Sequence, residues 1–145
     1  MKKLASICLI IFALAGCQKK GPRDVVLDRD VCAKCAMQLS DPRFVAQAVH
    51  KETGAQVIFE EPGCAVSWLY ENGKDSYILY VTDLKSHKWL KAEDAAFTGG
   101  YITPMSYGIA ALADAKDLED GKTLISYDEA VKHIISVYEE RANKK

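Results

Sequence analysis

The N-terminus carries the pattern of a bacterial lipoprotein signal, and this feature restricts the folded part of the chain to the residues after it. Two lysines precede an apolar run at residues 4–15. A transmembrane helix needs about 20 apolar residues, so this run is too short to span a bilayer. It ends in Leu14-Ala15-Gly16-Cys17, the small residues and cysteine that lipoprotein signal peptidase recognises. We therefore expect residues 1–16 to be a cleaved signal peptide. Cys17 is then lipidated and anchors the protein in the cell envelope, on the periplasmic face of the outer or inner membrane.

The remaining 129 of the 145 residues are enough for one ordinary domain. Residues 17–29 are predicted to be a lipidated tether, and residues 30–145 the domain itself. The whole chain has a formal net charge of −1, and loss of Lys2 and Lys3 with the signal brings it to −3. Lys and Glu are mixed along the chain without a basic patch, so nucleic-acid binding is disfavoured.

The first half of the predicted domain has the pattern of a ββαβ unit. A polar connection that ends in Gly54 separates two strand-like runs, which indicates a hairpin. Pro62 opens a helical segment, and Asn72-Gly73 ends it. The predicted elements are strands 43–50 and 56–59, a helix at 62–70, and a central strand at 76–81.

The second half predicts the same order of elements with weaker signals, because glycines interrupt its strands. The shared order is compatible with a divergent repeat, although no identity between the halves supports one. The predicted elements are strands 95–102 and 107–112, a short helix at 113–118, and a strand at 122–126.

The C-terminal segment predicts a helix more clearly than any other part of the chain. Ser126 and Glu129 have the spacing of a capping box. His133 falls off the apolar stripe, so we expect it to face solvent. The stripe consists of Tyr127, Ala130, Val131, Ile134 and Tyr138. The predicted fold is therefore α+β, with two small ββαβ units and a C-terminal helix.

Three sulfur-bearing residues lie within the six positions of Cys32-Ala33-Lys34-Cys35-Ala36-Met37. Two thiols and a thioether are soft ligands, which favour Cu(I). Structural zinc needs four ligands, commonly from two such pairs, and the sequence has no second pair. Redox use favours a Cys pair at a helix N-terminus after a buried strand, and neither element is evident around this motif. The motif therefore favours copper.

Three other positions are candidates for the same site. Cys64 makes the number of thiols in the predicted domain odd, so at least one stays free in an oxidising compartment. It lies in the first turn of the predicted helix, and burial behind Trp68 is slightly favoured over a metal or redox role. Met105 lies in a turn flanked by proline and glycine, where a ligand, a partner contact and local packing remain open. His50 or His87 could complete a site, and the sequence singles out neither.

The chain resembles the NosL family, lipoprotein copper chaperones that accompany nitrous oxide reductase. The similarity extends over nearly the whole predicted mature chain. One departure is Ala36, where the family commonly has glycine. Alanine costs little there if its φ is negative. The residues that carry the resemblance are Cys17, the Cys32–Met37 segment, Asp41-Pro42-Arg43-Phe44, Phe59, Pro62-Gly63-Cys64, Trp68, Tyr80-Val81-Thr82-Asp83, Trp89, Thr103-Pro104-Met105 and Gly108.

The resemblance implies a lipid-anchored Cu(I)-binding chaperone rather than an enzyme. Its client would be nitrous oxide reductase, whose copper centres it would help to assemble in contact with the membrane-linked maturation machinery. The resemblance also implies a body like the organomercury lyase fold. By motif match, the metal ligands are Cys32, Cys35, Met37 and Met105. Cys35 and Met37 occupy alternate positions, so an extended segment would let both face one ion.

Three other functions remain open from the sequence. An envelope thiol-disulfide oxidoreductase would cycle Cys32 and Cys35, would not need either methionine, and would not bind Cu(I) tightly. An organomercurial-handling enzyme is suggested only by fold analogy and needs two thiols and a carboxylate that converge, such as Cys35, Cys64 and an aspartate. A scavenging lipoprotein would bind copper for protection rather than for delivery.

Overall fold

The computed structural model describes residues 21–144, which form two small antiparallel sheets and two helices. The predicted signal peptide, Cys17 and the start of the predicted tether lie outside the described residues. Short 3-10 turns occupy Lys74–Ser76, Ala92–Asp94 and Ala115–Asp117. The strands and helices are β1 (Ala46–His50), β2 (Gln56–Phe59), α1 (Pro62–Asn72), β3 (Tyr77–Thr82), β4 (Trp89–Lys91), β5 (Ala96–Thr98), β6 (Ala110–Leu112), β7 (Leu124–Ile125) and α2 (Tyr127–Asn143).

The first sheet has the strand order β2-β1-β3-β4, with every neighbouring pair antiparallel. The predicted hairpin, the helix that begins at Pro62 and the interior position of β3 are all confirmed. Gly73 ends α1 with φ +87°, and its N–H donates to the carbonyl of Leu69. The sequence did not predict β4, because three residues are too few to show a strand alternation.

The second sheet has the order β6-β5-β7, so its first strand lies in the middle, as β1 lies between β2 and β3. The order of the three strands in each half therefore matches, as predicted. The predicted strands at 95–102 and 107–112 are too long, because Gly100 and Gly108 adopt positive φ of +79° and +76°. Such angles leave the extended region and produce a long connection between β5 and β6. The predicted helix at 113–118 is only a single 3-10 turn.

Helix α2 begins at the predicted capping box. The Ser126 hydroxyl accepts from the Glu129 N–H, and the Glu129 carboxylate accepts from the Ser126 N–H at 2.7 Å. Ala130 and Ile134 are buried, and α2 packs on both α1 and β5. Both sheets and α2 share one apolar core. Neither helix of the described region is long and apolar enough to cross a membrane.

Residues 21–29, which belong to the predicted tether, contact the first sheet. The Arg23 N–H donates to Gln47 Oε1 at 3.1 Å, and Gln47 Nε2 donates to the Arg23 carbonyl at 2.7 Å. Val25 and Leu27 pack against the core. This part of the chain therefore leads directly into the cysteine motif from a fixed position on the sheet.

Candidate metal centre

The segment from Cys32 to Met37 forms a closed turn beside β2. The Cys32 N–H donates to the Met37 carbonyl at 2.8 Å, and the Ala36 N–H donates to the Cys32 carbonyl at 3.0 Å. A further hydrogen bond, from the Ala33 N–H to the Ile58 carbonyl at 2.9 Å, fixes the turn to the end of β2. The expectation of an extended segment is therefore wrong, and the alternation argument for Cys35 and Met37 no longer applies.

Ala36 has a φ of +61°, so the condition under which alanine would cost little at this position is not met. This left-handed conformation brings a Cβ atom close to the following carbonyl, which costs about 1 kcal/mol. The residue is exposed, so its cost is set by backbone conformation rather than by packing. The glycine that is common in the family at this position would adopt the same angle without that cost.

Three thiols converge where this turn meets the start of α1. The Sγ atoms of Cys32, Cys35 and Cys64 all lie within 4.8 Å of one another. Cys32 and Cys64 are each only 1% exposed, whereas Cys35 is half-buried. Cys64 is buried as the sequence favoured, but it also joins the cluster, which the predicted ligand set did not include. The signal that could have indicated it was a thiol in the first turn of a helix.

The surroundings of the three thiols shift their pKa values in different directions. A hydrogen bond with Cys64, reinforced by backbone amides, lowers the pKa of the Cys32 thiol despite its burial. The same hydrogen bond, followed by burial, raises the pKa of Cys64. Burial raises the pKa of Cys35 as well. Of the three thiols, only Cys32 lies in surroundings that lower its pKa.

A cavity of about 590 Å³ opens beside the cluster and is lined by two of its thiols, those of Cys35 and Cys64. Cys35, Cys64 and Met105 line it together, so the structure brings one of the two predicted methionines to the thiols. Met105 is half-buried against the core rather than exposed as a loop residue. Met37 has half of its surface exposed and is not among the lining residues of this cavity. The other lining residues are Lys34, Glu71, Tyr107, Tyr138, Arg141 and Ala142.

Two buried carboxylates precede the helix that carries Cys64. Glu60 accepts from the N–H and the hydroxyl of Ser40 at 3.0 and 2.5 Å. Glu61 accepts from the N–H groups of Met105 and Tyr107 at 3.1 and 3.4 Å. Burial raises the pKa of both carboxyls. The sequence pattern did not single out these residues, since two acidic residues before Pro62 are also typical of a solvated helix start.

A second polar group lies at the rim of the cavity. Lys34 Nζ lies 2.6 Å from Glu71 Oε2, the Tyr138 hydroxyl donates to the same carboxylate, and the Lys34 ammonium lies 4.7 Å from the centre of the Tyr138 ring. These contacts connect the cysteine turn to α1 and α2. The C-terminal helix therefore forms one side of the entrance to the thiols.

The three histidines of the chain lie outside the thiol cluster. The His50 ring packs edge-on against Tyr77, and its Nδ1 faces two backbone N–H groups. His87 occupies a turn with φ +58°. His133 is exposed as predicted, with Nε2 3.1 Å from the Tyr107 carbonyl. The described cluster thus offers sulfur donors without the histidines that commonly complete a zinc site.

Comparisons with known proteins agree with this geometry. The NosL family model matches residues 25–118, which is more than half of the chain. The crystal structure of the copper chaperone NosL from Shewanella denitrificans matches with a TM-score of 0.62 at 19% sequence identity, over 74% of this chain and 94% of that one. At this identity the likeness supports the fold. None of the curated proteins compared matches the sequence. On the family match, the chain belongs to the NosL family.

Proposed function

We propose that this protein binds Cu(I) and hands it to a copper-dependent client. The observation that carries the proposal is the convergence of three thiols within 4.8 Å of one another, beside a cavity that Cys35, Cys64 and Met105 line. Thiolate and thioether sulfur are the donors that select Cu(I) over harder metals. NosL is a non-enzymatic family. The solved structure that this chain resembles is described as a copper chaperone.

In this proposal Cys32, Cys35 and Cys64 hold the ion, and Met105 supplies a thioether from the connection between β5 and β6. The thiols lose their protons as they bind the metal, so binding releases protons and weakens in acid. Met37, which is half exposed on the same turn, offers a thioether on the solvent side of the site. A soft donor there suits handover by ligand exchange more than permanent storage.

The proposed client and the proposed membrane anchor rest on the resemblance to the family. The proposed client is nitrous oxide reductase, with delivery to its copper centres through the membrane-linked maturation machinery. The proposed anchor is lipid on Cys17, which would hold the domain at the periplasmic face of a membrane. Transfer of copper from the loaded protein to copper-free reductase, measured by recovery of the reductase's copper absorption, tests the client. A protein that retains its copper in that assay would be a scavenger.

The pKa shifts and the exposure of Cys32 and Cys35 disfavour the alternative of a thiol-disulfide oxidoreductase. Such enzymes need an accessible thiol of low pKa as the attacking group. Here the thiol of lowered pKa, Cys32, is buried, and the accessible one, Cys35, has a raised pKa. Insulin reduction by the reduced protein, with Cys35→Ser as the control, would revive this alternative if turnover depended on Cys35.

An anaerobic Cu(I) titration of the reduced protein against a competing chelator tests the proposal. We expect tight 1:1 binding, and a loss of about 100-fold or more in Cys35→Ser, because loss of a residue that only orients a ligand costs about 10–100-fold and this change removes a ligand itself. Met105→Leu should weaken binding less, and Met37→Leu least at equilibrium while slowing transfer to an acceptor. Weak binding by the unmodified protein, or binding indifferent to Cys35→Ser, would contradict the proposed function.

A further inference from the structure

The loop that carries Met105 is held at successive peptide groups. Glu61, buried at the start of α1, accepts from the N–H groups of Met105 and Tyr107. Between them, the Ser106 N–H donates to the Thr103 carbonyl at 3.0 Å. Because Glu61 lies three residues before Cys64, this carboxylate connects the helix that carries a thiol to the loop that carries the thioether.

Arg141 of α2 holds the same loop through its carbonyl groups. Its Nη1 donates to the Met105 carbonyl at 2.9 Å, and its Nη2 donates to the Ser106 carbonyl at 3.0 Å. The guanidinium also lies over the Tyr107 ring, 4.5 Å from its centre. Two parallel donors on a rigid plane are a property of arginine that lysine does not share.

The loop needs such support because its backbone is strained. Ser106 has a φ of +59°, which is unfavourable for a residue with a Cβ atom. Strained residues of this kind persist where the surrounding contacts over-determine their conformation. Here the carbonyl of Ser106 is bound by Arg141 and its N–H by Thr103, so the strained residue is fixed at both polar groups.

We propose that Arg141 is a positioning residue of the metal site, which acts by holding Met105 over the thiol cluster. This inference rests on the proposed Cu(I) function. Arg141 lies outside the segment that matches the NosL family model, residues 25–118, so α2 contributes to the site from beyond that segment. Without the guanidinium, the thioether would be over the cavity for only a fraction of the time, and the apparent affinity would fall to that fraction of its value.

The test compares Cu(I) affinities of the whole mature protein in a double-mutant cycle. Arg141→Ala should weaken binding by about tenfold, the lower end of the range for residues that orient a metal ligand. Arg141→Lys keeps the charge and the aliphatic stem, and its loss of affinity should be nearly as large as that of Arg141→Ala. It is the variant to use if the alanine variant is unstable. Lys144→Ala, which breaks an exposed ion pair at the end of the same helix, is the matched control and should have no effect.

In a Met105→Leu background, Arg141→Lys and Arg141→Ala should cause no further loss, because the residue through which Arg141 acts is gone. Amide hydrogen exchange of the metal-free protein gives an independent readout. Exchange at Met105 and Tyr107 should accelerate in Arg141→Lys, while exchange at Cys32 and Ala36 stays unchanged.

Three outcomes would contradict one proposal or the other, and they are distinguishable. Tight binding by the unmodified protein with no effect of Arg141 substitution overturns the positioning role and leaves the Cu(I) function intact. An equal loss in the Met105→Leu background also overturns it, because Arg141 would then act on the fold in general. Absence of tight Cu(I) binding by the unmodified protein overturns the function itself.

Discussion

The first three strands of each sheet share an order along the chain, but the two sheets differ in how they are supported. In the first unit, β1 and β2 pack against an eleven-residue helix, α1. In the second, the equivalent connection between β6 and β7 is one 3-10 turn, and the strands are only two or three residues long. Helix α2 packs on β5 instead. The second unit therefore depends on an element that comes after it in the chain.

This difference has a consequence for the site. The first unit and the turn before it supply all three thiols from positions fixed by β2 and α1. The second unit supplies a single thioether from the long β5–β6 connection, whose position depends on Glu61 and Arg141. We infer that the thiols form the permanent part of the site, and that Met105 is the ligand whose placement the rest of the fold controls.

The largest expected effect comes from weakening the support of the second unit. Ile134→Ala removes a side chain that is 1% exposed in the core, and we expect a loss of about 3 kcal/mol in the free energy of unfolding. Amide protection should fall most in β5 and β6 if α2 supports that unit. Urea unfolding and hydrogen exchange measure both quantities. Ile102→Ala, at a side chain 96% exposed, is the control, and an equal loss of protection in β1 and β3 would contradict the comparison.

The contact between the two units at Gly63 should be the next most sensitive. A Cβ atom there would lie 2.1 Å from the Tyr107 ring, so Gly63→Ala must displace the ring and with it the Met105 loop. We expect a loss of about 2 kcal/mol in stability and a weaker affinity for Cu(I). Gly99→Ala, whose added Cβ meets only a contact at 4.0 Å, should change neither. Unchanged Cu(I) affinity in Gly63→Ala would show that the loop position does not matter.

Asp83 joins the two sheets and should make this junction sensitive to acid. Its carboxylate accepts from the Ser86 N–H at 2.7 Å and the Ala113 N–H at 2.8 Å. Burial alone would raise the pKa of Asp83, but these hydrogen bonds outweigh burial and lower it.

Because the folded pKa of Asp83 lies below the unfolded value of about 3.9, its contribution is complete above that value and is lost as the pH falls through the folded pKa. We expect Asp83→Asn to cost about 1.5 kcal/mol near neutral pH and less in acid. Urea unfolding from about pH 7 to about pH 3 measures this, with Asp120→Asn on an exposed turn as the control. A cost that does not shrink in acid would argue against the assigned charge state.

The smallest expected effects concern the two strained loop residues, Ala36 beside the thiols and Ser106 beside the thioether. Their φ values are +61° and +59°. Glycine at either position removes a steric cost but adds entropy to the unfolded chain, so we expect gains of about 0.5 kcal/mol. Ala33→Gly in the same turn as Ala36, at a residue without positive φ, should instead destabilise. Thermal unfolding shows whether each substitution raises or lowers the stability. A lower stability in Ala36→Gly would contradict the claim that the backbone of Ala36 is strained.

The features that the sequence predicted correctly are mostly local. The capping box at Ser126 and the helix start at Pro62 are set by residues within a single turn, so the pattern is sufficient to identify them. The ends of β5 and β6 were misplaced because Gly100 and Gly108 turn the chain within a run that otherwise resembles a strand.

The features that the sequence could not predict are those made by distant residues. Cys64 joins the thiols from 29 positions beyond Cys35, and Glu61 holds a loop 44 positions away. The left-handed conformation of Ala36 is imposed by the closure of its turn, and the residue type alone indicates the opposite. Motif spacing therefore identified the sulfur donors, while their arrangement required the tertiary structure.

The central claim is that the two units contribute sulfur to a single copper ion, and X-ray absorption at the copper edge tests it most directly. Protein labelled with selenomethionine and loaded with one Cu(I) offers selenium at positions 37 and 105 of the predicted mature domain. We predict copper–selenium scattering that persists in Met37→Leu and disappears in Met105→Leu, on a background of sulfur ligands from the thiols. Scattering that survives Met105→Leu but disappears in Met37→Leu would place the thioether ligand on the cysteine turn and contradict the account.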